Sequence, residues 1–274
     1  MSSITRFLPK NHLSFFIGQL VHVKLPSFIN RFLIAKFAKA YKIDLNEAEF
    51  PISSYSSLGD FFVRKLKPGI RPLGATWAVH PADAVITQAA KMTEGKLIQA
   101  KNKTYSVQNF TRDSKALEKW QDGFFLTYYL CPTDYHRVHS PVSGEIKRVV
   151  HIPGALWPVN AWSTENIHEL FSINERVLVE IQTERGLVGV MFVGATNVGH
   201  IILSFDDQIR GNQLVSGATV EKNYANLKIQ KGDELGQFRM GSTVVMLYSK
   251  DILPDHLDLA KLLDQAVRVN SSFA

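Results

Sequence analysis

Three stretches carry side chains that could do nucleophilic or acid–base chemistry. The first is Gly241-Ser242-Thr243, at the mouth of the β-prone apolar run Val244-Val245-Met246-Leu247-Tyr248. Glycine lacks a Cβ, so the Gly241 carbonyl is open to close approach and the Gly241–Ser242 peptide tolerates conformations that other residues resist. The Ser242 hydroxyl could therefore attack the peptide bond immediately before it. The bland alternative is a Gly-Ser-Thr step that only starts a strand. The second stretch, Cys131-Pro132-Thr133-Asp134-Tyr135-His136-Arg137-Val138-His139-Ser140-Pro141, holds two histidines, an aspartate, a tyrosine and an arginine between prolines. Histidine is the side chain poised to move protons near neutral pH, although two histidines in a polar turn need do nothing. Zinc held by His136, His139 and Asp134 or Cys131 is not expected. Helical zinc motifs space their histidines by four residues, and no second ligand cluster accompanies this pair. The third stretch, Val79-His80-Pro81-Ala82-Asp83-Ala84, sets an aspartate between a proline turn and an apolar strand. There it either caps the turn or holds a histidine in one tautomer. In the second case Asp83, His139 and Ser242 make an Asp-His-Ser set in chain order.

The framework that must hold these residues reads as mainly β. Strand-like runs are predicted at 84–87, 124–130, 145–152, 177–183, 187–193 and 243–248, with Glu184-Arg185-Gly186 as a hairpin between two of them. Helical spacing appears at the two ends. Leu13, Phe16, Ile17, Leu20 and Val21 form one stripe, and after Pro26 a second runs Ile29, Leu33, Phe37, Tyr41. Near the C-terminus Leu259, Leu262, Leu263, Ala266 and Val267 share a helical face. The predicted class is α+β, a β-rich core with basic amphipathic N-terminal helices and a short C-terminal helix. The division is a helical segment 1–43 and a catalytic β-rich domain 44–274.

Charge marks the N-terminal segment off from the rest. Residues 1–43 contain Arg6, Lys10, Lys24, Arg31, Lys36, Lys39 and Lys42 and no acid, whereas the whole chain carries only +6, so the remainder is nearly neutral. A secretory signal is excluded because His12, Ser14, Gln19, His22 and Lys24 interrupt the apolar run. No stretch offers the roughly 20 apolar residues of a membrane span. Two readings stay open on pattern alone: a helix pair lying on an anionic membrane surface, or one packed on the core with its lysines in water. Cys131 is the single cysteine, so no internal disulfide forms and a reducing compartment is the default, with the thiol read as structural.

Several motifs in order give the chain a family likeness between about Ile43 and Tyr248: Phe61-Phe62-Val63-Arg64, Pro81-Ala82-Asp83, Tyr105-Ser106, Asp134-Tyr135-His136-Arg137-Val138-His139, Pro153-Gly154, Asn174-Glu175-Arg176-Val177, Val193-Gly194-Ala195-Thr196, Lys231-Gly232-Asp233-Glu234-Leu235-Gly236 and Gly241-Ser242-Thr243. In these it resembles the bacterial phosphatidylserine decarboxylase proenzymes. It departs from them at Met240, where leucine is usual, and at Ala84, where glycine is usual. Met for Leu conserves volume and polarity, but an alanine at a position requiring positive φ would be strained.

The resemblance implies that the chain cuts itself between Gly241 and Ser242 into chains 1–241 and 242–274, which stay together as a heterodimer, with further dimerisation open. Asp83 and His139 would activate Ser242 for an N-to-O acyl shift, and elimination and hydrolysis would turn Ser242 into a pyruvoyl group, the built-in cofactor. That carbonyl would form a Schiff base with the amine of phosphatidylserine and draw electrons as CO₂ leaves, yielding phosphatidylethanolamine in phospholipid biosynthesis. His136, three residues from His139, would be the proton donor. The expected location is the cytoplasmic face of the inner membrane, peripherally bound, with no nucleic acid as partner. A competing reading from another class is a membrane-associated serine hydrolase using Asp83, His139 and Ser242 without self-cleavage, although a Gly-x-Ser-x-Gly elbow is absent. A third, non-enzymatic reading makes the chain a β-rich membrane-binding module.

Overall fold

The computed structural model describes residues 21–100, 103–196, 201–209, 211, 217–238, 242–250, 252 and 257–273. Its strands are β1 (Ala84–Lys91), β2 (Lys96–Ala100), β3 (Lys103–Ser106), β4 (Phe124–Leu130), β5 (Arg137–His139), β6 (Gly144–Ile152), β7 (Arg176–Thr183), β8 (Gly186–Val193), β9 (Ile201–Leu203), β10 (Val220–Ile229), β11 (Glu234–Phe238), β12 (Ser242–Tyr248) and β13 (Ala266–Val267). The helices are α1 (Ser27–Ala40), α2 (Leu58–Phe62), α3 (Val107–Thr111), α4 (Ala116–Trp120), α5 (Ala161–Asn166) and α6 (Leu170–Ile173). The mixture is the predicted β-rich α+β class.

An antiparallel eight-stranded sheet, in the order β10-β6-β7-β8-β12-β4-β1-β13, is the frame of the molecule. β12 lies in its interior, and Thr243 to Tyr248 are all buried. A strand covered on both faces needs no alternation of apolar and polar residues, which is why this run reads as continuously hydrophobic. Gly189 and Phe192 of β8 show what covers each face. A Cβ on Gly189 would meet Trp120 of α4 at 3.1 Å, whereas the Phe192 ring lies 5.3 Å from that of Phe238. One face therefore packs on the short helices, and the other on a three-stranded sheet, β5-β11-β9. Burial of each large apolar side chain contributes roughly 1.5–3 kcal/mol. The predicted β7–β8 hairpin is present and turns at Glu184-Arg185, with Thr183 opposite Gly186.

Two expectations are corrected in detail, and one strand is added to them. The C-terminal stripe does not form a helix over 259–267: a single 3-10 turn, Leu259–Leu262, ends before Asp264 takes φ 60°, and Ala266–Val267 then pairs with β1. A left-handed residue stops helix propagation, and the open edge of β1 captures the two residues that come next. β10, unforeseen in the sequence, is an outer strand, largely exposed, whose Glu221, Lys222 and Lys228 are typical of an edge that must not pair further. Along α1 the buried residues are Asn30, Ile34 and Ala38, not the stripe Ile29, Leu33, Phe37, Tyr41. Apolar residues cover so much of this helix that periodicity alone does not choose the face. Asn30 is tolerated inside because its Nδ2 donates to the Tyr55 carbonyl at 2.6 Å. The first predicted stripe, Leu13 to Leu20, lies outside the described residues.

α1 packs on α2 through Ile34, Ala38, Ile43 and Phe61, a small cluster separate from the main core. Its far side leaves Phe28 and Phe32 exposed at 73% and 58%, among Arg31, Lys36 and Lys39. At the other departure, Ala84 occupies the first position of β1 with no positive φ, so alanine costs nothing there.

Candidate active site

The histidine stretch crosses from the end of β4 to β5. Asp134 folds it: its Oδ2 accepts the Cys131 N–H at 2.7 Å, closing a tight turn that a short acceptor side chain makes possible. That turn brings His136 inward. His136 is fully buried, its ring stacked 4.1 Å from the Phe62 ring of α2, and its Nε2–H donates to the Cys131 carbonyl at 3.0 Å. Its Nδ1 is buried without a partner. Burial, with the Arg64 guanidinium adding to it, pushes the imidazole down to about 3, so it is neutral at ordinary pH.

His139, at the end of β5, is half-buried and anchored at both nitrogens. Nδ1 lies 2.7 Å from the Gly232 carbonyl and must donate to it, which leaves Nε2 as the basic atom, 3.1 Å from the Tyr135 hydroxyl. Gly232 adopts φ +90°, a turn conformation that favours glycine, and this presents its carbonyl to the ring. Arg137, between the two histidines, fixes the strand by pairing through Nη1 with both Glu234 oxygens at 2.9 and 2.8 Å and by donating from Nε to the Val63 carbonyl.

Asp83 is buried at 1% exposure, but its carboxylate does not hydrogen-bond His139, whose ring nitrogens face Gly232 and Tyr135. Its partners are Arg71, through Nε at 3.0 Å and Nη2 at 2.6 Å, Arg268 at 3.0 Å and the Val269 N–H at 2.8 Å. Arg71 also bridges to Glu47, and although burial alone would lower its pKa, the two carboxylates hold it above the usual arginine range. Asp83 reaches His139 through the backbone: the Pro81 carbonyl, two residues away, accepts the His139 N–H at 2.8 Å. Arg71 and Arg268 were missed as site residues because nothing local distinguishes them, whereas Tyr135 and Gly232 stand in the motifs quoted above but were given no role.

Gly241 and the Ser242 side chain lie outside the described residues. The backbone is described up to Phe238 and again from Ser242. Upstream, the Phe238 N–H at the end of β11 donates to the His136 carbonyl at 3.0 Å. Downstream, Ser242 pairs with Leu130, the last residue of β4 before the histidine stretch. Phe238 is thus tied to the stretch that carries His136 and His139, and Ser242 to the strand that leads into it.

Relatives among known proteins cover the same span. Residues 58–273 match the family described as phosphatidylserine decarboxylase. The chain is 36% identical over 247 residues to a phosphatidylserine decarboxylase proenzyme of Myxococcus xanthus, covering 89% of this chain and 88% of that one. It is 37% identical to a proenzyme of the same description from Shewanella woodyi, covering 92% and 90%. A third, from Vibrio cholerae, is 36% identical across 98% and 95%.

Proposed function

The chain belongs to the phosphatidylserine decarboxylase family, a carboxy-lyase family that converts phosphatidylserine to phosphatidylethanolamine and CO₂, and from that premise we propose that it matures by cutting itself between Gly241 and Ser242. The observation that carries the proposal is that Phe238 is bound to the histidine stretch and Ser242 is paired with Leu130, the residue that leads into it. His139 Nε2, left basic by the Nδ1–Gly232 contact, takes the Ser242 proton as the hydroxyl attacks the Gly241 carbonyl. Asp83 positions His139 by anchoring the 81–83 segment that holds its backbone. The amide nitrogen leaves the Gly241 carbon with a proton, giving an ester. Elimination of the acyl side and hydrolysis with loss of ammonia convert residue 242 to pyruvoyl, leaving Gly241 with a free carboxylate.

A carbonyl group at position 242 would begin the strand opposite Leu130, the residue that leads into the histidine stretch. When present, the pyruvoyl group supplies a ketone that condenses with the substrate amine and accepts the electron pair left by CO₂. His136, neutral with the Nδ1 lone pair free, takes up the proton that the substrate ammonium releases as its amine condenses and passes it from Nδ1 to the carbon that has lost CO₂. Chains 1–241 and 242–274 stay associated because β12 remains paired between β8 and β4, and the segment after β13 remains bound to Asp83. A denaturing gel of the purified protein should show two fragments. The smaller should resist N-terminal sequencing and weigh about 17 mass units less than the serine-started peptide, the mass of ammonia. A single uncut chain in active protein rules the pyruvoyl reading out.

The enzyme reaches its lipid by lying on the cytoplasmic face of the inner membrane. Phe28 and Phe32 project from α1 away from the packed face, with Lys36 Nζ 4.7 Å from the Phe32 ring centroid. No helix among the described residues is long and apolar enough to cross a membrane. Insertion of the two rings and attraction of roughly 1 kcal/mol per lysine or arginine act together. Sedimentation with anionic vesicles should fall at high salt and drop about tenfold or more in Phe28→Ser/Phe32→Ser. Equal binding to neutral and anionic vesicles at every salt concentration would refute the charge contribution.

A further inference from the structure

Arg64 comes just after α2 and is 4% exposed. Its Nη2 donates to the Thr133 and Asp134 carbonyls at 3.2 and 3.5 Å, while Nε and Nη1 are buried with no partner. Buried donors of a cation are rarely left this way, because each costs its full desolvation. The other deeply buried arginine shows the contrast. Arg176 ends every arm on a carbonyl, Phe110 at 2.6 Å and Asn174 and Asn109 at 2.8 Å, as a structural arginine does.

The carboxylates around Arg64 are committed elsewhere: Asp83 and Glu47 to Arg71, Glu234 to Arg137, and Asp134 to the Cys131 N–H. One further orphan flanks it. The Tyr55 ring lies 5.4 Å from Phe61, over which the Arg64 guanidinium also sits at 5.3 Å. His136, with its unpartnered Nδ1, stacks on the neighbouring Phe62. The same α2 packs against α1, the helix with the exposed phenylalanines. The unsatisfied donors therefore lie between the surface helix and the histidine stretch, where a headgroup entering from a bilayer would pass.

We propose that Arg64 is the anion-binding residue for the lipid headgroup, its unpartnered donors giving a charge-assisted hydrogen bond to one oxyanion of the substrate, carboxylate or phosphodiester, beside His136. With Nη2 held by the Thr133 and Asp134 carbonyls, Nε and Nη1 lie on different edges of the guanidinium, so each donates singly rather than as a fork. Burial is the larger cause that keeps His136 neutral, and a bound oxyanion offsets the second, the repulsion of Arg64, so that Nδ1 takes up a proton more readily. The inference rests on the decarboxylase reading of the site and does not require the pyruvoyl group to have formed.

The test is therefore made first on the full chain carrying Ser242→Ala, by calorimetric titration with glycerophosphoserine and glycerophosphoethanolamine, alone and combined with Arg64→Gln or Arg64→Lys. Arg64→Gln should weaken glycerophosphoserine roughly 10- to 100-fold, and Arg64→Lys less. If Arg64 holds the phosphodiester, glycerophosphoethanolamine weakens equally; if it holds the carboxylate, that ligand is unaffected. In the chain that keeps Ser242, Arg64→Gln should still be cut, with KM for phosphatidylserine raised more than kcat is lowered. The proposal is overturned if the parent binds neither ligand, if Arg64→Gln binds glycerophosphoserine as the parent does, or if both Arg64 variants lose the near-ultraviolet signal of the folded chain. A wild-type chain that is never cut refutes the pyruvoyl reading alone, since the titration does not use Ser242.

Discussion

Ser242→Ala is expected to remain one chain of 274 residues and to lose decarboxylation by at least roughly 10⁴-fold. Alanine has neither the nucleophile that attacks Gly241 nor the oxygen that leaves as the ester, so neither the cut nor the ketone can form. The loss should come with little change in the fold. β12 is held by backbone pairing to β4 and β8, and removing one hydroxyl at the first position of a strand typically costs within about 1 kcal/mol. Three readouts must move together. The gel shows no small fragment, phenylhydrazine labels nothing, and borohydride added with phosphatidylserine leaves no lipid attached to the protein. Wild-type protein should show the opposite in each, with both reagents acting on chain 242–274 only. Measurable turnover by uncut Ser242→Ala would remove the basis for a serine-derived cofactor.

The two histidines should separate maturation from turnover. His139→Ala removes the only nitrogen that the Gly232 contact leaves basic on this ring, so cleavage should slow by roughly 10²–10⁴-fold and the precursor accumulate. His136→Ala should still be cut, because Leu130 and the Phe238 N–H are held by backbone groups that alanine keeps. Its decarboxylation should fall by a similar 10²–10⁴-fold, roughly. The pH response carries a sign. With its pKa lowered to about 3 by burial and by Arg64, His136 of the lipid-free protein binds no proton between about pH 8 and 5, although the unfolded chain begins to do so near 6.5. Folded stability therefore declines as pH falls below about 6.5, and His136→Ala should flatten that decline. Equal cleavage defects in the two variants would show that His136 serves maturation as well.

Local sequence was enough to place β4 and β12 within a residue of their observed ends, because β-branched and aromatic runs buried on both faces leave few other options. It was also enough for the β7–β8 hairpin. It was not enough for β10, whose exposed polar residues look like a loop until β6 offers an edge to pair with. The same limit applied to the C-terminal stripe, where a left-handed Asp264 and the edge of β1 overrode a helical pattern.

The site divides along the same line. Its chemical vocabulary, a serine after a glycine, two histidines three apart and an aspartate between a proline turn and a strand, was determined by the sequence alone, because reactivity belongs to side-chain type. Who touches whom was decided by the tertiary structure. Asp83 meets Arg268 and Val269 across 185 and 186 positions, His139 meets Gly232 across 93, and Arg64 meets Thr133 across 69. No periodicity or motif spacing encodes such contacts. They arise only when the sheet closes and each buried polar group takes whichever partner the packing brings within about 3 Å, leaving Arg64 with two donors unmatched.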